Sequence, residues 1–124
     1  MSIENGKVLI GRTYYFESAH RLPKLPPTHK CSNLHGHNYR IVVTVEGPLD
    51  ARGFVEDFAE LDMRVLPLIQ KVDHTILNDV EGLENPTAEL IAAWFLEKIE
   101  KCKSVRVYET DDCWAECSRG QFRP

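Results

Sequence analysis

His37-Asn38-Tyr39-Arg40-Ile41-Val42-Val43-Thr44-Val45-Glu46 is the stretch from which the fold can be read. His37, Tyr39, Ile41, Val43 and Val45 fall on one face and Asn38, Arg40, Val42, Thr44 and Glu46 on the other, the two-residue period of a strand with one buried side. Upstream, Val8 to Phe16 is rich in β-branched and aromatic residues and leads into Glu17-Ser18-Ala19-His20, so a strand running into His20 is expected. Between the two, Pro23, Pro26 and Pro27 prevent regular pairing. Arg21 to Leu34 therefore reads as a long surface loop, a kind of segment that usually carries function.

Downstream, Gly47, Pro48, Asp50 and Gly53 end the strand, and Phe58, Leu61, Val65, Leu68, Ile69 and Val72 then recur at helical spacing. Asp57 and Glu60 form a start resembling a capping box, and Pro67 predicts a kink or a local break. Asn85-Pro86 predicts an N-cap followed by proline in the first helical position, with Leu90, Ile91, Trp94, Phe95 and Ile99 continuing an apolar stripe. Val105 to Glu109 alternates again, and Cys113 to Cys117 reads as a short final strand. The order β-β-α-α-β-β is most simply folded as an antiparallel sheet with both helices on one face, an α+β class fold.

A chain of 124 residues is expected to be one domain spanning 1–124, and 43% apolar with 27% charged residues suits a compact protein. The net charge of −4 argues against a general attraction to nucleic acid or to anionic membranes. No stretch approaches the roughly 18 apolar residues of a membrane span. Met1 to Lys7, with Glu4, Asn5 and Gly6, lacks the order of a secretory signal, so a cytoplasmic protein with Cys31, Cys102, Cys113 and Cys117 as free thiols is expected. Cys102, Cys113 and Cys117 read as packing residues.

His35-Gly36-His37 puts two imidazoles on the same face at the start of a strand, and His20 ends the neighbouring strand. Three imidazoles can thus reach one ion, as in catalytic zinc sites that keep a position open for water or substrate. Neutral imidazole also suits copper, iron or nickel. His20, His35, His37 and His74 each lie at an expected element boundary, whereas His29, in the proline-rich loop, reads as incidental. Taken singly, each histidine is more often a surface or satisfied core residue. Cys31, four residues before His35, is either a fourth ligand that closes a structural site or a free thiol acting as base or nucleophile.

Five motifs then resemble one family: Phe16-Glu17-Ser18-Ala19-His20-Arg21-Leu22, Cys31-Ser32-Asn33-Leu34-His35-Gly36-His37, Asp73-His74-Thr75-Ile76-Leu77-Asn78, Asn85-Pro86-Thr87-Ala88-Glu89 and Glu109-Thr110. In this order they resemble the 6-pyruvoyltetrahydropterin synthase family, and the Cys-x3-His-Gly-His spacing resembles its bacterial 6-carboxytetrahydropterin synthase branch, which serves queuosine biosynthesis. The resemblance implies a tunnelling fold in which subunits form barrel-like trimers that stack into homohexamers, with active sites shared between subunits. It implies zinc on His20, His35 and His37, Cys31 as proton acceptor, Asp73 and His74 as a proton relay, Glu109 as pterin anchor, and Thr87 and Glu89 as further pterin contacts. The implied substrate is a pterin triphosphate, 7,8-dihydroneopterin triphosphate. Its phosphates call for local cations, for which Arg21, Lys24 and Lys30 are candidates. Two alternatives stand beside this reading: elimination of triphosphate to the pyruvoyl product, and a non-catalytic zinc-stabilised binding module with Cys31 as fourth ligand.

Overall fold

In the computed structural model, which describes residues 6–120, β1 (Val8–His20) and β2 (His35–Gly47) form one long antiparallel ribbon. Residues 1–5 of the opening segment read above for an export signal lie outside the described residues. The register runs from Val8 opposite Gly47 to His20 opposite His35. β3 (Ser104–Tyr108) pairs with β2, and β4 (Trp114–Ser118) with β3, giving the sheet order β1-β2-β3-β4. The alternation expected for His37–Glu46 is observed, and β2 begins earlier, at His35.

Helices α1 (Phe58–Val72) and α2 (Ala88–Lys98) cover one face of the sheet. Tyr14, Phe16, Tyr39, Ile41, Val43, Val105 and Val107 from the strands meet Leu61, Val65, Ile91 and Phe95 from the helices in a single core. Burying each such large apolar side chain stabilises the fold by about 1.5–3 kcal/mol. The opposite face, carrying Thr13, Tyr15, Glu17 and Asn38, has no helix on it among the described residues. Among the described residues no helix is long and apolar enough to cross a membrane.

Several local expectations need correction. α1 runs unbroken through Pro67. Pro67 is exposed, so the Met63 carbonyl that loses its intrahelical donor is on the solvent side, where water can satisfy it. Asp57 is the N-cap as expected, accepting from the Ala59 N–H, but Glu60 turns outward to Arg52 and completes no capping box. For α2 the cap is Thr87, whose hydroxyl accepts from the Leu90 N–H; neither Asn85 nor Pro86 holds the position expected for it. Phe58 and Leu90 drop out of the two buried stripes and are exposed. Cys113 is likewise exposed, while Cys102 and Cys117 pack in the core.

The end of α1 is fastened to β1. The Ser18 hydroxyl donates to the Val72 carbonyl, and the chain leaving the helix runs along the free edge of β1, where the Ala19 N–H donates to the Thr75 carbonyl at 3.0 Å. This fastening sets Asp73 and His74 beside Glu17.

Candidate metal centre and proton relay

The paired register of β1 and β2 builds the histidine cluster. His20 faces His35 directly, and His37 lies two residues further along β2, on the same core-side face as buried Phe16 and Tyr39. One nitrogen from each of the three rings lies within 4.8 Å of the other two. His20 Nδ1 is 2.8 Å from the Pro86 carbonyl and His35 Nδ1 is 2.7 Å from the Asn33 carbonyl. A carbonyl can only accept, so both Nδ1 atoms carry the proton and both Nε2 atoms are bare lone pairs. Those two Nε2 atoms are only 3.1 Å apart. With no proton to share between them, they repel unless a positive charge sits in their midst.

His37 adds a third free nitrogen. Its Nε2 is buried and has no hydrogen-bond partner; a Glu109 oxygen lies 3.2 Å away but outside hydrogen-bonding alignment. Burial lowers the proton affinity of both His20 and His37, with the Glu109 charge opposing that shift, and neutral imidazole is the form that binds metal. Convergent nitrogens, two of them bare with backbone-fixed tautomers and the third buried without a partner, suit a three-histidine metal site. The residues fit the ion.

Cys31 is not a member of this cluster. It sits on a 3₁₀ turn, Lys30–Ser32, and is half-buried. Two bonds hold its backbone: the Leu22 N–H donates to its carbonyl at 2.9 Å, and its own N–H donates to His29 Nδ1 at 3.0 Å. His29 stays outside the histidine cluster, and it caps the turn that carries the thiol. Its nearness in sequence to Cys31 was the available signal.

Asp73 caps the C-terminus of α1, and His74 follows in a left-handed conformation, φ 56°. Adjacent residues on a strand would face apart; this reversal folds the ring back so that Nδ1 lies 2.9 Å from Asp73 Oδ1. The Glu17 N–H, followed by the His74 ring, holds the Asp73 carboxyl below the usual carboxylate range. The Asp73–His74 pair thus forms within one chain. His74 is not a member of the three-histidine group. It lies against Glu17, on the helix-free side of the ribbon, and lines a recess of about 370 Å³ floored by Ala19 and Gly36, with His37 also on its border.

Residues 9–120 match the family model for 6-pyruvoyl tetrahydropterin synthase. The chain belongs to the 6-pyruvoyl tetrahydropterin synthase family. A Synechocystis protein named 6-carboxy-5,6,7,8-tetrahydropterin synthase is 40% identical over 113 residues, covering 82% of this chain and 86% of that one. The dihydroneopterin monophosphate aldolase of Pyrococcus furiosus is 36% identical over 86 residues, 69% of each chain. The structure of Caenorhabditis elegans 6-pyruvoyl tetrahydropterin synthase superposes with a TM-score of 0.83 at 30% identity, covering 90% of this chain and 95% of that one. The tunnelling fold of this family is the fold observed.

The other family motif residues divide into two groups. Glu109, just after β3, is mostly buried and faces His37, close to the histidine cluster. Thr87 spends its hydroxyl's acceptor capacity on the α2 cap, while Glu89 is exposed in the first turn. Arg21 and Lys24 are exposed on the loop, and Lys30 is exposed on the 3₁₀ turn beside Cys31. Sequence reasoning missed the Pro86 carbonyl, which fixes His20, and Asn78, whose amide exchanges two hydrogen bonds with the Arg21 backbone at 3.0 and 2.9 Å. Both lie in quoted motifs, but backbone acceptors leave no residue-type signature. A larger hollow of about 830 Å³, lined by Lys71, Asp79, Trp94 and Lys98, includes none of these motif residues except Thr75 and Ile76.

Proposed function

We propose that this chain is a zinc-dependent 6-carboxy-5,6,7,8-tetrahydropterin synthase, a carbon–carbon lyase that converts 7,8-dihydroneopterin triphosphate and one water to 6-carboxytetrahydropterin, acetaldehyde and triphosphate, a step of queuosine biosynthesis. The observation that carries the reading is the set of three converging imidazole nitrogens, those of His20 and His35 left proton-free by their backbone partners, with the Cys31 thiol outside the set. The 40% identical Synechocystis relative supports the choice of product.

His20, His35 and His37 would hold the zinc. When bound, it supplies a positive charge that acidifies the side-chain hydroxyls of the pterin and stabilises the oxyanions that form from them. Cys31, left off the metal, accepts a proton from the side chain. His74, held in one tautomer by Asp73, returns a proton at another atom. The Glu109 carboxylate anchors the pterin by accepting two parallel hydrogen bonds from its 2-amino group and N3. Thr87 and Glu89 add pterin contacts, and Arg21, Lys24 and Lys30 meet the triphosphate.

Because the relay of one chain faces away from that chain's own histidines, the working site takes His74 from a second copy. A homohexamer built from two trimers accommodates this, with the free edges of β1 and β4 gaining partners. Four free thiols suit a cytoplasmic setting.

Incubation of the zinc-loaded protein with 7,8-dihydroneopterin triphosphate, followed by mass spectrometry, tests the proposal. Acetaldehyde and 6-carboxytetrahydropterin are expected. A 6-pyruvoyl product that keeps all three side-chain carbons, without acetaldehyde, would reassign the chain to triphosphate elimination, and no turnover with bound zinc would favour a binding module.

A further inference from the structure

Glu17 touches the relay at three points. Its N–H donates to Asp73 Oδ1 at 2.9 Å, its carbonyl accepts from the His74 N–H at 2.6 Å, and its carboxylate Oε2 lies 3.6 Å from His74 Nε2. The first two are backbone contacts that any residue could make on this strand edge. The third belongs to the glutamate alone. With Nδ1 committed to Asp73, Nε2 is the ring nitrogen left for proton transfer, and it is the one that Glu17 faces.

We propose that Glu17 is a positioning residue for the His74 proton relay, its carboxylate fixing the ring so that Nε2 is offered to the recess over Ala19 and Gly36. The inference rests on the relay role of His74 given above. Three features carry it beyond an ordinary surface pair. His74 is held in a left-handed backbone conformation, which costs a non-glycine residue about 1–2 kcal/mol and persists only where surrounding contacts over-determine it. Two of those contacts come from Glu17. The ring stands between two carboxylates, one per nitrogen, so a 180° flip, which would put Cδ2 in place of Nδ1 and Cε1 in place of Nε2, would lose both contacts. Finally, 3.6 Å is too long for a hydrogen bond yet short enough to orient a polar ring, so Nε2 keeps its capacity for a substrate atom.

The recess is open for such an atom. A Cβ built on Gly36 would meet nothing nearer than the Ser18 carbonyl at 3.6 Å, so packing within the chain does not require glycine there. Glu17, Asn38, His74 and Thr75 also border this hollow. An exposed pair of this kind contributes little to stability, and the expected effect is on turnover.

Glu17→Gln keeps both backbone contacts and the side-chain shape while removing the charge. In the zinc-loaded protein it should lower kcat about tenfold, a part of the roughly 10²–10⁴-fold that positioned proton transfer supplies, with KM within about twofold of the parent. Glu17→Asp should recover part of the loss. The ¹⁵N shifts of the His74 ring should report a mixture of tautomers in E17Q and a single tautomer in the parent. In a His74→Ala background, E17Q should have no further effect on kcat. An unchanged kcat and unchanged ring shifts in E17Q, or additive losses in the double variant, would overturn the role of Glu17. If His74→Ala alone left kcat intact, the relay itself would fail, and that result is separable from the first.

Discussion

His20 and His35 stand directly opposite one another on the β1–β2 ribbon with bare Nε2 atoms 3.1 Å apart. Two lone pairs held that close disfavour the folded state, and a bound cation converts the same geometry into a gain. Chelator treatment should therefore lower the melting temperature, and zinc should restore it. An ion at a thousand times its Kd adds about 4 kcal/mol. Differential scanning calorimetry with and without zinc is the check; identical melting curves would contradict a metal site at this position.

Cys31 lies outside the histidine cluster, whereas His20 is fully buried within it. Cys31→Ala should keep its zinc and its melting temperature and lose turnover. His20→Ala should lose zinc and also leave a core void, a change that typically costs a few kcal/mol. Metal content by atomic emission, read beside activity, separates the two; zinc lost from the cysteine variant would make Cys31 a ligand.

The Thr87 hydroxyl caps α2 by accepting from the Leu90 N–H, and substitution separates this from the pterin contact proposed for it. Thr87→Ala should lower stability by about 1 kcal/mol, and Thr87→Ser should leave stability close to the parent. Urea denaturation measures this. If the side chain also contacts the pterin, Thr87→Ala raises KM as well, and a KM unchanged in both variants would leave capping as its whole role.

Burial pushes the Cys102 thiol up to about 11 from an ordinary 9.0, and likewise raises the Tyr14 and Tyr39 hydroxyls above their ordinary 10.0. Each group stays neutral longer in the folded chain than in the unfolded one. The folded state thus binds more protons in this window, and its stability should fall as pH rises above about 9, through the shifted value of Cys102 and on into the tyrosine range. A thiol reagent at pH 8 should modify exposed Cys113 first and spare Cys102 and Cys117 until the protein unfolds. Rapid modification of Cys102 in the native state would contradict its burial.

Much of this arrangement was legible in the residues. The alternation after His37 and the run into His20 fixed two long strands, and once those pair in antiparallel register the three histidines must meet. The helices followed from their stripes, and Asp57 from its place before the first. What failed was local and backbone-driven. Asn85-Pro86 resembles a cap and a first helical residue, yet the Pro86 carbonyl is drawn inward to His20 and Thr87 takes the cap. Pro67 resembles a breaker, yet its helix exposes that turn to water. His29 and Glu17 were overlooked because their contacts depend on a turn and a strand edge that neither period nor spacing encodes.

The Asp73–His74 pair and the histidine cluster occupy opposite sides of one two-stranded ribbon, which separates them genetically as well as spatially. A chain lacking His20 and a chain lacking His74 should each be inactive alone, yet each retains the half that the other is missing. Unfolded together and refolded as a mixture, two dead proteins should complement one another and regain measurable turnover.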